Sequence, residues 1–179
     1  MTLSQIYDII ANLVYGDVAA APVPVAEVPF IQSLILHKHK EIQQNYNYWF
    51  MRSRATISIL EGVDTYNLPA DYKQIVHLDY DNPFQFRGDD IYFPEAPETD
   101  IDVDLDYWSY LPTPAWDDTH TDAITQHCNW PIIYEVTAQM MLKREEKSSA
   151  AAYMDMAQMA LSSAQMADYT HRQSAEEIF

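Results

Sequence analysis

The chain has 179 residues, enough for one domain, and carries 27 acidic against 10 basic side chains for a formal net charge of −17. So acidic a body repels phosphate backbones, which excludes a basic-groove DNA or RNA binder. Its single cysteine, Cys128, excludes an internal disulfide and a cysteine-rich zinc site.

Thr2 and Gln5 have capping-box spacing, and Leu3, Ile6, Ile10 and Leu13 recur at helical intervals, so a first helix is expected up to Tyr15, stopping at Gly16. This N-terminus has no basic flank or small-residue cleavage site, so it does not read as a signal peptide. Residues 17–29 are rich in Ala, Val and Pro and read as an extended linker or a laid-down surface loop. No run approaches the roughly 20 apolar residues of a membrane helix, so a soluble protein without membrane partners, intracellular when made, is expected. A second helix is expected from residues 28–30 to about Phe50. It would place Ile31, Leu34, Ile35, Ile42, Tyr46 and Trp49 on one face and the polar run 37–41 in its middle.

Residues 55–111 carry a β signal. Strands are expected at 56–60, around Tyr66, and at 73–80, with a corner at Leu68-Pro69-Ala70-Asp71, since Pro69 cannot donate to a ladder. A hairpin is expected around Gly88-Asp89-Asp90. Residues 100–107 alternate strictly, with Ile101, Val103, Leu105 and Tyr107 on one face and Asp100, Asp102, Asp104 and Asp106 on the other. Prolines at 112 and 114 end the sheet.

A helical hairpin follows. Its first arm opens near Pro131 with Ile132, Ile133, Val136, Met140 and Met141, and its turn covers 143–149. The return arm runs from Ala150 to about Tyr169, with Tyr153, Ala157, Ala160, Ala164 and Ala167 as a close-packing seam. Met154, Met156, Met159 and Met166 suit either core filling or a pliable docking surface. Residues 170–179 lack periodicity and read as a tail. Together these elements give an α+β fold: a helical bundle of N-terminal helices and C-terminal hairpin, carrying an inserted antiparallel β-module at 55–111 within a single domain, 1–179.

No constellation demands catalysis. Asp100, Asp102, Asp104 and Asp106 lack the glycine and late glutamate of a calcium loop, and their spacing along a strand keeps them apart, so they read as a solvated acidic face or, repeated round a ring, a channel lining. His37 and His39 diverge on a helix, while His120, His127 and Cys128 have no ligand spacing. Three glycines leave no phosphate-cradling loop. No enzyme activity, cofactor or metal is expected.

The segment Gly62-Val63-Asp64-Thr65-Tyr66-Asn67-Leu68-Pro69-Ala70-Asp71-Tyr72 between two strands resembles the head-to-tail adaptor (connector) proteins of tailed bacteriophages. Similar too are Tyr107-Trp108-Ser109-Tyr110-Leu111-Pro112 with the acidic pair after it, and Asn129-Trp130-Pro131 opening a helix. The proline-rich linker and the acidity depart from the family pattern. The resemblance implies a structural protein of the virion neck: a homo-oligomeric, twelve-fold ring bound beneath the portal protein, offering a platform to tail or nozzle proteins, with DNA passing through unread. It also implies that the C-terminal segment, Ser174, Ala175, Glu176, Glu177, Ile178 and Phe179, docks on the portal. The competing expectation is a small acidic DNA mimic that blocks a nucleic-acid enzyme, against which stands the spread of acids from Asp8 to Glu177. A hydrolase with paired carboxylates would need two coupled acids that the sequence does not single out.

Overall fold

The computed structural model describes residues 1–16, 22–112 and 114–176, with the side chains of 174–176 left aside. In chain order the elements are α1 (Leu3–Tyr15), α2 (Val28–Asn45), β1 (Arg52–Ile59), β2 (Thr65–Asn67), β3 (Tyr72–Leu78), β4 (Gln85–Arg87), β5 (Asp90–Tyr92), β6 (Ile101–Ser109), α3 (Ala123–His127), α4 (Asn129–Lys143) and α5 (Lys147–Glu176). The architecture is α+β, with a helical unit, Met1–Trp49 and Pro112–Phe179, and a β-module, Phe50–Leu111, inserted into it.

In the helical unit, α1 starts with the expected capping box. Gln5 N–H donates to Thr2 Oγ1 at 3.2 Å, and Thr2 N–H donates to Gln5 Oε1 at 3.0 Å. Two more free amides of its first turn, Leu3 and Ser4, donate to the carbonyls of His120 and Asp118. The first helix buries Leu3, Ile6, Ile10, Ala11 and Val14.

The second helix stops at Asn45, short of the expected Phe50, and Tyr46 is extended at φ −127°, ψ 152°. The segment after it is held open by α5: Trp49 N–H donates to Asp168 and Arg172 donates to the Asn47 carbonyl, while Tyr48 is buried. Those bonds replace the helical ones that continued winding would have made. The polar middle expected of this helix is also partly interior, since Lys38 and His39 are buried. Lys38 is held by Glu135 at 2.5 Å and Glu41 at 3.0 Å.

The hairpin arms are α4 and α5. Their turn is tighter than the expected 143–149, since the helix after it begins at Lys147, with Glu145 at φ 63°. The return arm also outruns its expected end near Tyr169, because helical backbone continues to Glu176. Residues 170–176 are therefore helix rather than tail, and 177–179 lie outside the described residues. Most of linker 17–29 is likewise beyond description or in turns, with 17–21 undescribed.

The β-module is two small sheets, ordered β1-β6-β3 and β2-β5-β4, both antiparallel. Register between β1 and β6 is unbroken from Arg52–Trp108 to Ile59–Ile101. Strand β3 meets β6 with two irregularities, at Tyr72/Gln74 and Ile75/His77. The core holds Ile59, Leu68, Leu78, Ile91, Phe93, Val103, Leu105 and Tyr107. Ile101, expected on the inward face, is 43% exposed at the start of the strand.

The expected corner passes the chain from one sheet to the other. Tyr72 N–H donates to the Pro69 carbonyl at 2.9 Å, closing a turn, and buried Leu68 donates through its N–H to Asp89 O at 2.8 Å. Asp71 fastens the other side: its carboxylate accepts from Tyr107 Oη at 3.0 Å and its carbonyl from Tyr110 N–H at 2.7 Å.

Candidate functional site

The four strand aspartates lie at or on β6, the central strand of its sheet, and each has a separate partner on the β1 side. Asp100 accepts from Glu61 N–H at 2.8 Å, Asp102 from Ser58 Oγ at 2.6 Å, and Asp104 from Thr56 Oγ1 at 2.8 Å. Asp106 accepts from Arg54 through Nε at 2.6 Å and a terminal nitrogen at 3.1 Å, and from Arg52 at 3.2 Å. Hydrogen bonds from Arg54, then Arg52, overcome burial and hold the Asp106 carboxyl below its ordinary value. Alternation thus produces a polar face graded along the strand: a neutralised, buried end at Asp106 and an exposed anionic end at Asp100 and Asp102.

Reading the sequence for acids alone misses the Arg52 and Arg54 pairing. Its signal is the period-two run Arg52-Ser53-Arg54-Ala55-Thr56-Ile57-Ser58, whose donors match the acids of β6 in antiparallel order. Nothing on this face converges two carboxylates on one point, and among the described residues no three His, Cys, Asp or Glu groups are placed to hold a metal ion.

In the helical unit Asp122 is a hub. As N-cap of α3 its carboxylate accepts from Thr125 N–H at 2.8 Å. Its other oxygen lies 2.6 Å from Nε2 of His39, which is fully buried on α2, and 3.2 Å from Nε2 of His120. Burial opposes its ionisation, but the bonds from His39, Thr125 and His120 prevail and hold the carboxyl far below the carboxylate range. His39 Nδ1 is buried without a hydrogen-bond partner. An acid beside an imidazole suits proton transfer in general, but a fully enclosed ring cannot meet a substrate; here the pair ties α2 to α3. The pairing across 83 residues is invisible in sequence, although Asp122 with Thr125 is a legible capping signal.

Cys128 is buried, and burial pushes its thiol up to about 12. His127 instead lies edge-on to Trp49, at 5.7 Å between ring centres, and Trp49 also meets His171 at 3.9 Å.

The helical hairpin has an open groove of about 490 Å³ between α4 and α5, whose walls include Trp130, Tyr134, Met156, Met159 and Ser163. Trp130 stacks on Tyr134 at 5.3 Å yet is 46% exposed. Met154, Met156, Met159 and Met166 are 41–66% exposed, so they line a surface rather than fill the core. For the C-terminal docking segment, Ser174, Ala175 and Glu176 have helical backbone, and Glu177, Ile178 and Phe179 lie outside the described residues. No helix among the described residues is long and apolar enough to cross a membrane. Compared with protein-family models and with curated protein sequences, the chain matches none.

Proposed function

We propose that the chain is a non-enzymatic head-to-tail adaptor of a tailed bacteriophage, a ring subunit in the virion neck that binds below the portal protein and offers a platform to tail or nozzle proteins. The observation that carries this reading is the two-sheet module inserted in a helical unit, with the stretch 62–72 that bears the family likeness forming its strand-to-strand corner. That corner is built by bonds that Pro69 and Asp71 accept, so the similarity in sequence corresponds to a structural part.

Electrostatics support the same reading. A channel that lets DNA slide must not bind phosphate, and a body of net charge −17 with its acids spread along the chain meets that requirement. The exposed Asp100 and Asp102 are candidates for a lumen-facing position, whereas Asp106 is paired with Arg52 and Arg54. Portal contact is assigned to 174–179, where the apolar Ile178 and Phe179 follow two glutamates.

Co-sedimentation with portal rings from the same source, followed by imaging, tests the reading. The expected result is a second ring stacked coaxially on the portal, lost when 174–179 are deleted. A folded chain that leaves the portal bare sinks the adaptor reading and moves the acidic DNA mimic forward. A ring that survives the deletion removes only the docking assignment.

A further inference from the structure

Helix α5 has two faces. One packs inward through Ala150, Ala157 and Asp168, all buried. Roughly 140° round the helix from Ala157 runs a second stripe: Ala152, Met156, Met159, Ser163, Met166 and Thr170. Its steps are four, three, four, three and four residues, the heptad spacing of a seam that meets another helix. All six residues are exposed, and Met159 and Met166 are 65% and 66% exposed. Within it Met156, Met159 and Ser163 also line the groove between α4 and α5.

Charge says what can cover it. Between residues 148 and 167 the only charged side chain is Asp155, in a chain with 27 acids and 10 bases. A basic partner would be drawn to the acidic surfaces, not to this one. Another copy, equally acidic, is repelled everywhere except where charge is missing.

Size order along the seam supports the same occupant. Read from either end it runs small, large, and in the middle large against small. An antiparallel copy would set Ala152 against Thr170, Met156 against Met166, and Met159 against Ser163 of its partner. Each central methionine then meets a serine, which leaves room for it, and its flank is the groove walled by Trp130 and Tyr134.

We propose that two copies of the free chain pair through α5, antiparallel, in that register. The pairing goes beyond the adaptor reading, and it holds or fails whether or not the portal is bound. The seam is about 27 Å long, a small interface, so association is expected in the micromolar range or weaker. It strengthens with salt, because the Debye length falls from about 10 Å at 0.1 M to about 3 Å at 1 M and releases the repulsion between copies.

Chains carrying Ala152→Cys and Thr170→Cys, mixed in equal amounts in 1 M NaCl with oxidised glutathione, are expected to form a mixed disulfide dimer. Each alone forms none, because like positions lie about 27 Å apart in the antiparallel pair. The native Cys128 is buried and does not interfere. Disulfides between two 152 positions would mean a parallel pair, and either that result or the absence of any dimer overturns the proposal. Sedimentation gives a second reading: the native chain shows more dimer in 1 M than in 0.1 M NaCl, and Met159→Asp weakens it at least roughly tenfold. A native chain that stays monomeric at high salt, or an unaffected Met159→Asp dimer, also refutes it.

Discussion

Replacing Asp122 by Ala removes one carboxylate that serves three groups in the helical unit. The α3 cap on Thr125 N–H is worth about 1 kcal/mol. His39 is fully buried with Nδ1 already unpartnered, so losing its 2.6 Å bond strands the second ring nitrogen too, at about 1–3 kcal/mol. His120 is partly exposed and regains water, so it adds little. The expected loss is therefore about 2–4 kcal/mol for this unit. Urea unfolding followed by circular dichroism, scored on the helical transition, reads it out, with Asp122→Asn retaining the cap and falling between. The pH dependence has a definite sign. A carboxyl held below its unfolded-state value gives its full stability above the ordinary carboxylate pKa of about 3.9 and loses it as pH falls further. The native and Asp122→Ala curves should thus converge in acid. A loss under about 0.5 kcal/mol at neutral pH would show that His39 is satisfied some other way and refute the reasoning.

Three further outcomes are expected. Phe93→Ala empties a fully buried site against Tyr66 and Tyr80 and lowers β-module stability by about 3–5 kcal/mol, read as a shifted urea midpoint. Glu145→Gly relieves a left-handed residue at the α4–α5 turn and raises the melting temperature, by about 0.5–1 kcal/mol in stability; a lower melting temperature would contradict it. Cys128 should resist alkylation at pH 8 in the native state and react as soon as the helical unit unfolds, since it is buried and its thiol is pushed up to about 12.

Elements with a local signal were legible in the sequence. The Thr2–Gln5 capping box, the alternation of β6, the turn at Gly88 and the Pro69 corner all rest on neighbours within a few residues, and all formed. The misses share a cause, which is that distant residues decide them. Helix α2 ends early because α5 captures the backbone of Asn47 and Trp49. Lys38 and His39 looked like a solvated stretch because Glu135 and Asp122, their partners, are far away in sequence. The four aspartates each have their own partner, and their grading from exposed to paired depends on which residues of β1 lie opposite. The methionines were ambiguous because periodicity cannot say which of two faces of α5 meets α4.

The module's first and last strands, β1 and β6, are neighbours, with Arg52 opposite Trp108. Its two ends therefore leave side by side, about 5 Å apart, however much chain lies between them. Once the module has folded, the break in the helical unit behaves as a loop of a few residues. By loop-closure entropy that shortening favours joining the two halves of the helical unit by about 2 kcal/mol. The insertion thus acts as a clasp on its host.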